Sequence, residues 1–598
     1  VNRVSNPMVT KVPKSRLKVT VTLLMICLFV LGGRLLFIQG IDAEDQAQQA
    51  MDRRTRPVTL APERGSIVDR DGNVMAESVQ RYDLVVDQRL VHDSQVWDPE
   101  TASYVDLDIE EQLQELSNIL DIDYPELREL MIGDRPYRVV SRRVTPEVRQ
   151  EALEVGIPGL VSEPVAERIY PNGAVAGSIL GFNGHDGQGL EGIELTQDEH
   201  LRGQPGERVF EISADGIRIP NASFSETPAA DGKDVRLTID QDISWYAQEA
   251  IAAKVAEYNA KWGNIVVMDA KTGEILALAD SETVDPTDPT ATDQLFWRPT
   301  AITQAYEPGS TGKAMTFAMA LDAGVVTPEQ KWTVPNSQTF NNETINDSMP
   351  HDTYDMTTAG VFTRSYNTGT VQVAEQLSAE QRWQYMKDFG IGEPIEIGLT
   401  GGNQGQFASW EDWDRRQHFT TTFGQGYSVT ALQMTRVFQA LANDGVMMPP
   451  RLIDAYIDED GIETEWEPPT EPERVVSEET ADEMLKFMEG VVEEGTAYAA
   501  QIDGYRVGGK TGTGQAASPS GGYDGHTTSF TGVVPLDDPQ FVVSVAVHRP
   551  QGNWKDWQVT DTAADVMEYL LSKYSIPPSD TGPQHYDVFT EDPQERPW

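Results

Sequence analysis

The chain has 598 residues, enough for several domains, and 39% of them are hydrophobic, enough for a sizeable core. Its 95 acidic side chains outnumber 46 basic ones, giving a formal net charge of −49, and a surface that negative repels nucleic acid and bare anionic lipid. One cysteine excludes an internal disulfide framework and a multi-cysteine metal site, and the eight histidines form no H-E-x-x-H pair, so neither metal nor other cofactor is expected.

Residues 1–18 carry Arg3, Lys11, Lys14, Arg16 and Lys18 and no acid. Residues 19–33 are uncharged and mostly apolar; Arg34 interrupts, and 35–38 continue the run. About 20 residues are needed to cross ~30 Å of hydrocarbon, which 19–38 satisfies, with Arg34 near the far end where its guanidinium can snorkel outward. The basic flank predicts a cytoplasmic 1–18, a transmembrane anchor at 19–38 and all later residues outside. A cleaved signal peptide is the alternative, but no small-residue cleavage site follows the core promptly and the apolar run resumes after Arg34. Cys27, inside the run, reads as a small buried hydrophobe.

Residues 45–55 read as a polar helical stalk. From 56 to 235 short β-rich runs alternate with turns, including R-G-S-I-V-D-R-D-G-N at 64–73, a strand–turn signal on Asp71-Gly72. Stretches 112–120 and 126–131 have the period of short amphipathic helices. Arg168, Tyr170, Pro171 and Gly173, the glycine cluster 181–192 and the linker-like 227–233 are turn and loop chemistry.

The texture then changes. Residues 237–240 lead into a helix over 243–258. Apolar runs at 265–268 and 274–278 form a hairpin about Lys271-Thr272-Gly273. Helical patterns fill 311–323, 357–390 and 429–443; strands return at 505–507, 529–534 and 541–548; a last helix covers 560–574. This order implies a mixed α/β or α+β domain over 236–575. The Pro-, Asp- and Glu-rich tail, 576–598, is expected to be disordered.

Three motifs in this second half carry chemistry. The first is Y-E-P-G-S-T-G-K at 306–313, a turn running into an apolar helix, with Ser310 at the helix start and Lys313 three positions on, on the same face. A serine hydroxyl needs a base, and a lysine can be that base if burial lowers its pKa. The helix N-terminus offers N–H groups to a developing oxyanion. A second S-x-x-K, Ser15 to Lys18, lies beside the anchor and carries no such context. The second motif is Ser365-Tyr366-Asn367, whose hydroxyl can relay a proton and whose amide can hold a substrate carbonyl. The third is Lys510-Thr511-Gly512-Thr513 after the strand 505–507, a cation and two hydroxyls suited to a terminal carboxylate, with a glycine that lets ligand backbone approach. Lys271-Thr272-Gly273 is a decoy, an ordinary hairpin turn. Residues 504–511 also match the P-loop pattern G-x-x-x-x-G-K-T, but the glycine-rich sequence after Thr511 cannot open a helix.

The order S-x-x-K, S-x-N, K-T-G resembles the penicillin-recognising serine enzymes. R-G-S-I-V-D-R-D-G at 64–72, R-I-Y-P-N-G at 168–173 and G-L-E-G-I-E at 189–194 resemble pedestal motifs of class B penicillin-binding proteins, and 237–240, 424–426 and 526–532 are similar to further signatures of their transpeptidase domain. The resemblance implies a transmembrane helix, an elongated mixed α/β pedestal of dimerisation type over 45–235, and an α/β penicillin-binding transpeptidase domain of serine β-lactamase-like fold over 236–575. It implies that Ser310 attacks the penultimate D-Ala of a stem pentapeptide, Lys313 is general base, Ser365 shuttles the proton and Asn367 orients the acyl-side amide. Lys510, Thr511 and Thr513 bind the carboxylate, and the N–H groups of Ser310 and Thr513 form the oxyanion hole. Two positions depart from the family: Gly312, expected to loosen the first helical turn at ~1 kcal/mol relative to alanine, and Tyr366, expected to shape the cleft. No glycosyltransferase-like stretch precedes the pedestal, so the implied partners are stem peptides, β-lactams, and a SEDS-type (FtsW-type) membrane glycosyltransferase with other division proteins. The stretch 34–39 resembles the septal type, with an elongation role as the alternative. A β-lactamase, a β-lactam sensor and a silent scaffold are the rival classes; the first would need a second base poised over the ester, and none is tied to the three motifs.

Overall fold

The computed structural model describes residues 14–41, 55–98, 103–184, 186–211, 225–518, 521–552 and 556–591. The expected stalk, apart from Thr55, the first 13 residues and the last seven lie outside these.

The chain divides into two units. The described part of the first begins with the helix Lys14–Leu36 and a π turn, Phe37–Ile41. The helical span Lys14–Gln39 is long and apolar enough to cross a membrane. Its apolar side chains are exposed, Cys27 among them, so Cys27 is not buried within protein as expected. The same unit holds an antiparallel sheet in which Gly206–Glu211 lies between Thr55–Leu60 and Ser225–Thr227.

The second unit carries the rest, including most of the pedestal. There the three pedestal motifs, distant in sequence, meet at one carboxylate. Glu194, fully buried, accepts from Arg64 Nε at 2.8 Å and Arg168 Nε at 2.7 Å, with the Tyr170 hydroxyl at 3.3 Å. Arg64 also donates to Asp198 at 2.6 Å. Removing one partner of such a buried set strands a charge and costs about 3–5 kcal/mol. These motifs therefore have a structural cause. Leu84, Val86, Leu113, Leu116, Leu127 and Met131 form a separate small core, closed by the helices Ile109–Leu120 and Tyr124–Met131, which match the amphipathic pattern.

A seven-stranded sheet draws strands from both the 45–235 and the 236–575 stretches. Asp234–Leu237 pairs in parallel with Ile67–Val68 on one side and antiparallel with Ile453–Ile457 on the other. Gly232 and Lys233, read as the end of a linker, are tied down: their N–H groups donate to Glu63 O at 2.8 Å and His200 O at 2.9 Å.

The stretch 236–575 is organised by a five-stranded antiparallel sheet in the order Ile275–Asp280, Trp262–Asp269, Phe541–His548, Tyr523–Val534, Gly508–Ala517. The central strands are buried almost throughout, as strands covered on both faces must be. On one face the backbone at Gly263 lies against Ile251 of the helix Gln241–Glu257, and Gly532 against Met567 of the helix Thr560–Lys573. On the other, Gly508 lies against Met488 of the helix Glu478–Glu493, and Gly512 against Pro308 and Thr311. The segment Pro308–Thr311 is thus clamped to the face opposite the helices Gln241–Glu257 and Thr560–Lys573.

Three expectations are corrected. The helical pattern 357–390 is three helices, Thr358–Arg364, Asn367–Ala374 and Ala379–Asp388. The strand expected at 505–507 instead starts at Gly508 and contains the whole Lys510–Thr513 motif. The tail expected to be disordered from 576 is docked through 591. Ser579 Oγ donates to Asp537 at 2.6 Å, the Gln584 N–H to buried Glu489 at 2.7 Å, and Val588 is 2% exposed. The Thr357 hydroxyl donates to Asp587 O at 2.6 Å, so the tail backs the helix that ends at Ser365.

Candidate active site

Ser310 sits in a 3-10 turn, Gly309–Gly312, that feeds directly into the helix Lys313–Asp322. Every residue of that helix from Lys313 to Ala320 is buried, which its near-continuous apolar sequence allows. Lys313 is carried into the interior with it and has no exposed surface. Its Nζ lies 2.6 Å from Ser365 O, 2.8 Å from Asn367 Oδ1 and 3.3 Å from Ser365 Oγ. A neutral amine has two N–H groups and one lone pair. The two shorter contacts take the hydrogens, which leaves the lone pair to accept a proton. Burial pushes Lys313 down to about 7, opposed in part by the Asp347 carboxylate.

The contacts to Ser365 depend on a break in helicity. Ser365 caps Thr358–Arg364 with φ of 58°, a left-handed conformation that non-glycine residues adopt at a cost of about 1–3 kcal/mol. The turn directs its carbonyl and hydroxyl at Lys313. Asn367 then opens the next helix. Asp347 caps that helix: its carboxylate accepts from the Asn367 N–H, the Thr368 N–H at 3.1 Å and the Thr368 hydroxyl at 2.9 Å.

The third motif lies on the sheet's edge strand. Lys510 is fully buried, its Nζ 5.7 Å from the Phe362 ring centroid and 3.4 Å from Thr511 O. Thr511 Oγ1 is 2.6 Å from Thr496 Oγ1. Strand alternation puts Lys510 and Gly512 on one face, and Thr511 and Thr513 on the other. Thr513 is only partly buried.

Glycines bring the first and third motifs into backbone contact. A Cβ on Gly309 would lie 2.4 Å from Thr513 O; one on Gly512, 2.5 Å from Pro308 O; one on Gly514, 1.8 Å from Glu307 O. No side chain fits between these strands of chain, so Gly309, next to Ser310, lies directly against the Thr513 backbone. Gly424 fixes the other flank: Gly309 N–H donates to Gly424 O at 2.8 Å.

The two departures have other roles than those expected. A Cβ on Gly312 would lie 2.4 Å from the buried Tyr427 hydroxyl, so this glycine makes room for a neighbour and does not merely loosen a turn. Tyr366 is 6% exposed and stacks on His351 at 3.9 Å, so its ring packs inward and does not line a cleft. The decoy Lys271-Thr272-Gly273 is a hairpin turn, with the Lys271 and Thr272 N–H groups on Asp269 at 2.9 and 2.8 Å. Sequence reading gave no role to Asp347, Thr496 or Glu307. Glu307, within the first motif, accepts from the Gly426 N–H at 3.0 Å and is pushed upward by burial.

Residues 263–568 match the family model described as the penicillin binding protein transpeptidase domain, and 59–237 the penicillin-binding protein dimerisation domain. The chain belongs to the class B penicillin-binding proteins. This penicillin-binding protein is 32% identical to penicillin-binding protein PbpB of Mycolicibacterium smegmatis, across 90% of the chain and 87% of the relative. It is 29% identical to peptidoglycan D,D-transpeptidase FtsI of Escherichia coli, across 88% and 86%. Among solved structures, penicillin binding protein 3 from Mycobacterium tuberculosis complexed with aztreonam aligns with a TM-score of 0.67 at 26% identity, covering 88% of this chain and 99% of that one.

Proposed function

We propose that the protein is a membrane-anchored peptidoglycan D,D-transpeptidase whose nucleophile is Ser310 and whose base is Lys313. The observation that carries this is the fully buried Lys313, brought down to about 7 and aimed at the second motif. In this mechanism Lys313 Nζ takes the Ser310 proton as Oγ attacks the penultimate D-Ala carbonyl of a stem peptide. The N–H groups of Ser310 and Thr513 receive the oxyanion. The C–N bond breaks, Ser365 passes a proton to the departing D-Ala amine, and an ester remains on Ser310. The amine of a second stem attacks that ester and forms the cross-link. Asn367 holds the acyl-side amide, and Lys510, Thr511 and Thr513 bind the terminal carboxylate. Lys510 and Thr511 are buried and Thr513 is only partly buried, so Thr513 is the most open of the three to substrate.

A β-lactam enters the same reaction, but its leaving nitrogen stays tethered and blocks the approach of an amine or water. The penicilloyl ester is therefore expected to last for hours. One turnover per second against one per several hours is a difference of about 5–6 kcal/mol in barrier. Glu307 makes this test sharp, because a carboxylate does stand near Ser310, with one oxygen already held by Gly426. Labelled penicillin, removal of excess and hours of counting decide it; hydrolysis within seconds would make the protein a β-lactamase.

Residues 19–38, within the helical span Lys14–Gln39, serve as the anchor, with the basic residues of 1–18 in the cytoplasm and the catalytic unit outside. A role in septal cell-wall synthesis is supported by the 34–39 stretch and the likeness to FtsI; an FtsW-type glycosyltransferase and other division proteins are the partners this reading calls for. A fluorescent fusion is expected at the division site; uniform lateral signal would favour the elongation role.

A further inference from the structure

His351 lies behind the second motif. Its side chain is 2% exposed, and its ring stacks on Tyr366 at 3.9 Å and faces Tyr354 at 5.7 Å. Nε2 lies 2.9 Å from Asp347 Oδ2, and Nδ1 lies 2.6 Å from Asp352 O. Both partners only accept hydrogen bonds. A neutral imidazole has one N–H and would set a lone pair against one of these oxygens; only the doubly protonated ring satisfies both. The cost of burying that cation is offset by the carboxylate and by the flanking tyrosine faces.

The pair grips the second motif at two points. His351 stacks on Tyr366, the motif's middle residue, and holds the carboxylate that caps Asn367 and Thr368. Asn367 in turn accepts from Lys313. Asp347 is also the charge that Lys313 faces: alone it would favour the ammonium form. The charged and titratable groups around the pair are Lys313 from the nucleophile helix, Tyr354 from the strand Tyr354–Met356, Arg364 from the helix Thr358–Arg364, and Tyr366.

We propose that His351 is held as an imidazolium and is a positioning residue: through Asp347 it fixes Asn367, and it offsets the carboxylate charge that opposes deprotonation of Lys313. The second half rests on Lys313 being the base for Ser310; the protonation of the ring does not.

Two measurements on the full chain in detergent test it. With 15N-labelled histidine, the His351 signal, identified by its loss in His351→Gln, is expected to show two protonated ring nitrogens at pH 7. A single-tautomer neutral ring there overturns the proposal whatever Lys313 does. The second is the pH profile of penicillin acylation. His351→Gln leaves Asp347 unopposed, so the acidic limb should move to higher pH by about one unit, lowering the rate about tenfold at pH 6 relative to the high-pH plateau. Adding Asp347→Asn to that variant should move the limb back to or below its original position. A merely structural role would lower the rate equally at every pH with the limb unmoved, and that result overturns it.

Discussion

Lys313→Met should lower the rate of Ser310 acylation by about 10³-fold or more, with the fold retained. General-base removal of a proton contributes typically about 10²–10⁴, and no second amine contacts Ser365 and Asn367 among the interactions of the described residues. Methionine suits the site because Lys313 is fully buried and its neighbours from Ala314 to Ala320 are buried with it. The unaltered protein should carry the signature of that base in its pH profile. Lysine is reactive when deprotonated, and burial brings Lys313 down to about 7. Acylation should therefore rise through pH about 7 and level off above it, tenfold lower per pH unit on the acid side. The same depression affects stability with a definite sign. Between about 7 and the ordinary lysine value the unfolded chain holds a proton that the folded chain lacks, so this group's contribution to stability increases with pH across that window and is constant below it. In the Met variant the limb at about 7 should vanish along with the rate. A limb that survives the substitution would assign it to another group.

Gly309→Ala is the second large effect. The glycine has φ of 57°, and its added Cβ would lie 2.4 Å from Thr513 O and 2.6 Å from Thr513 C. Both obstacles are backbone of a strand paired to its neighbour in register, Thr513 with Thr528, so neither can swing aside as a side chain would. The turn and the strand must part, and the proposed oxyanion hole of the Ser310 and Thr513 N–H groups should lose its common focus. Loss of one oxyanion donor typically costs about 10²–10³ in rate, and acylation should fall by at least that much. Stability should fall less, because the buried helix after the turn is untouched. Measuring kinact/KI for a penicillin together with the thermal midpoint separates the two. A variant that acylates normally would show that Ser310 and Thr513 do not act as a pair.

What was legible in the sequence divides along physical lines. Local chemistry was readable: the apolar N-terminal helix, the Lys271-Thr272-Gly273 hairpin, the last helix, and the three short motifs in order. The strand Gly508–Ala517 was misplaced because G-G-K-T-G-T-G-Q has no alternation of apolar residues and few β-branched ones. That strand exists because Tyr523–Val534 pairs along it and the glycines let Glu307–Gly309 cross it. The helical break at Ser365 was hidden because its neighbours on both sides have good helical patterns and the left-handed turn is held by tertiary contacts. Asp347 and His351 were invisible, since nothing local ties them to Asn367. The tail misled by composition: its few apolar residues, Val588 above all, are placed against the helix that ends in Ser365.

The central claim is that one serine, made reactive by one buried lysine, carries the acyl group. The most direct measurement is to react the full chain with a penicillin, record the intact mass, and map the adduct by peptide sequencing. The expected result is a single added penicilloyl group on the peptide that contains Ser310, absent from a folded Ser310→Ala variant. An adduct on another serine, or label retained by Ser310→Ala, would contradict the account.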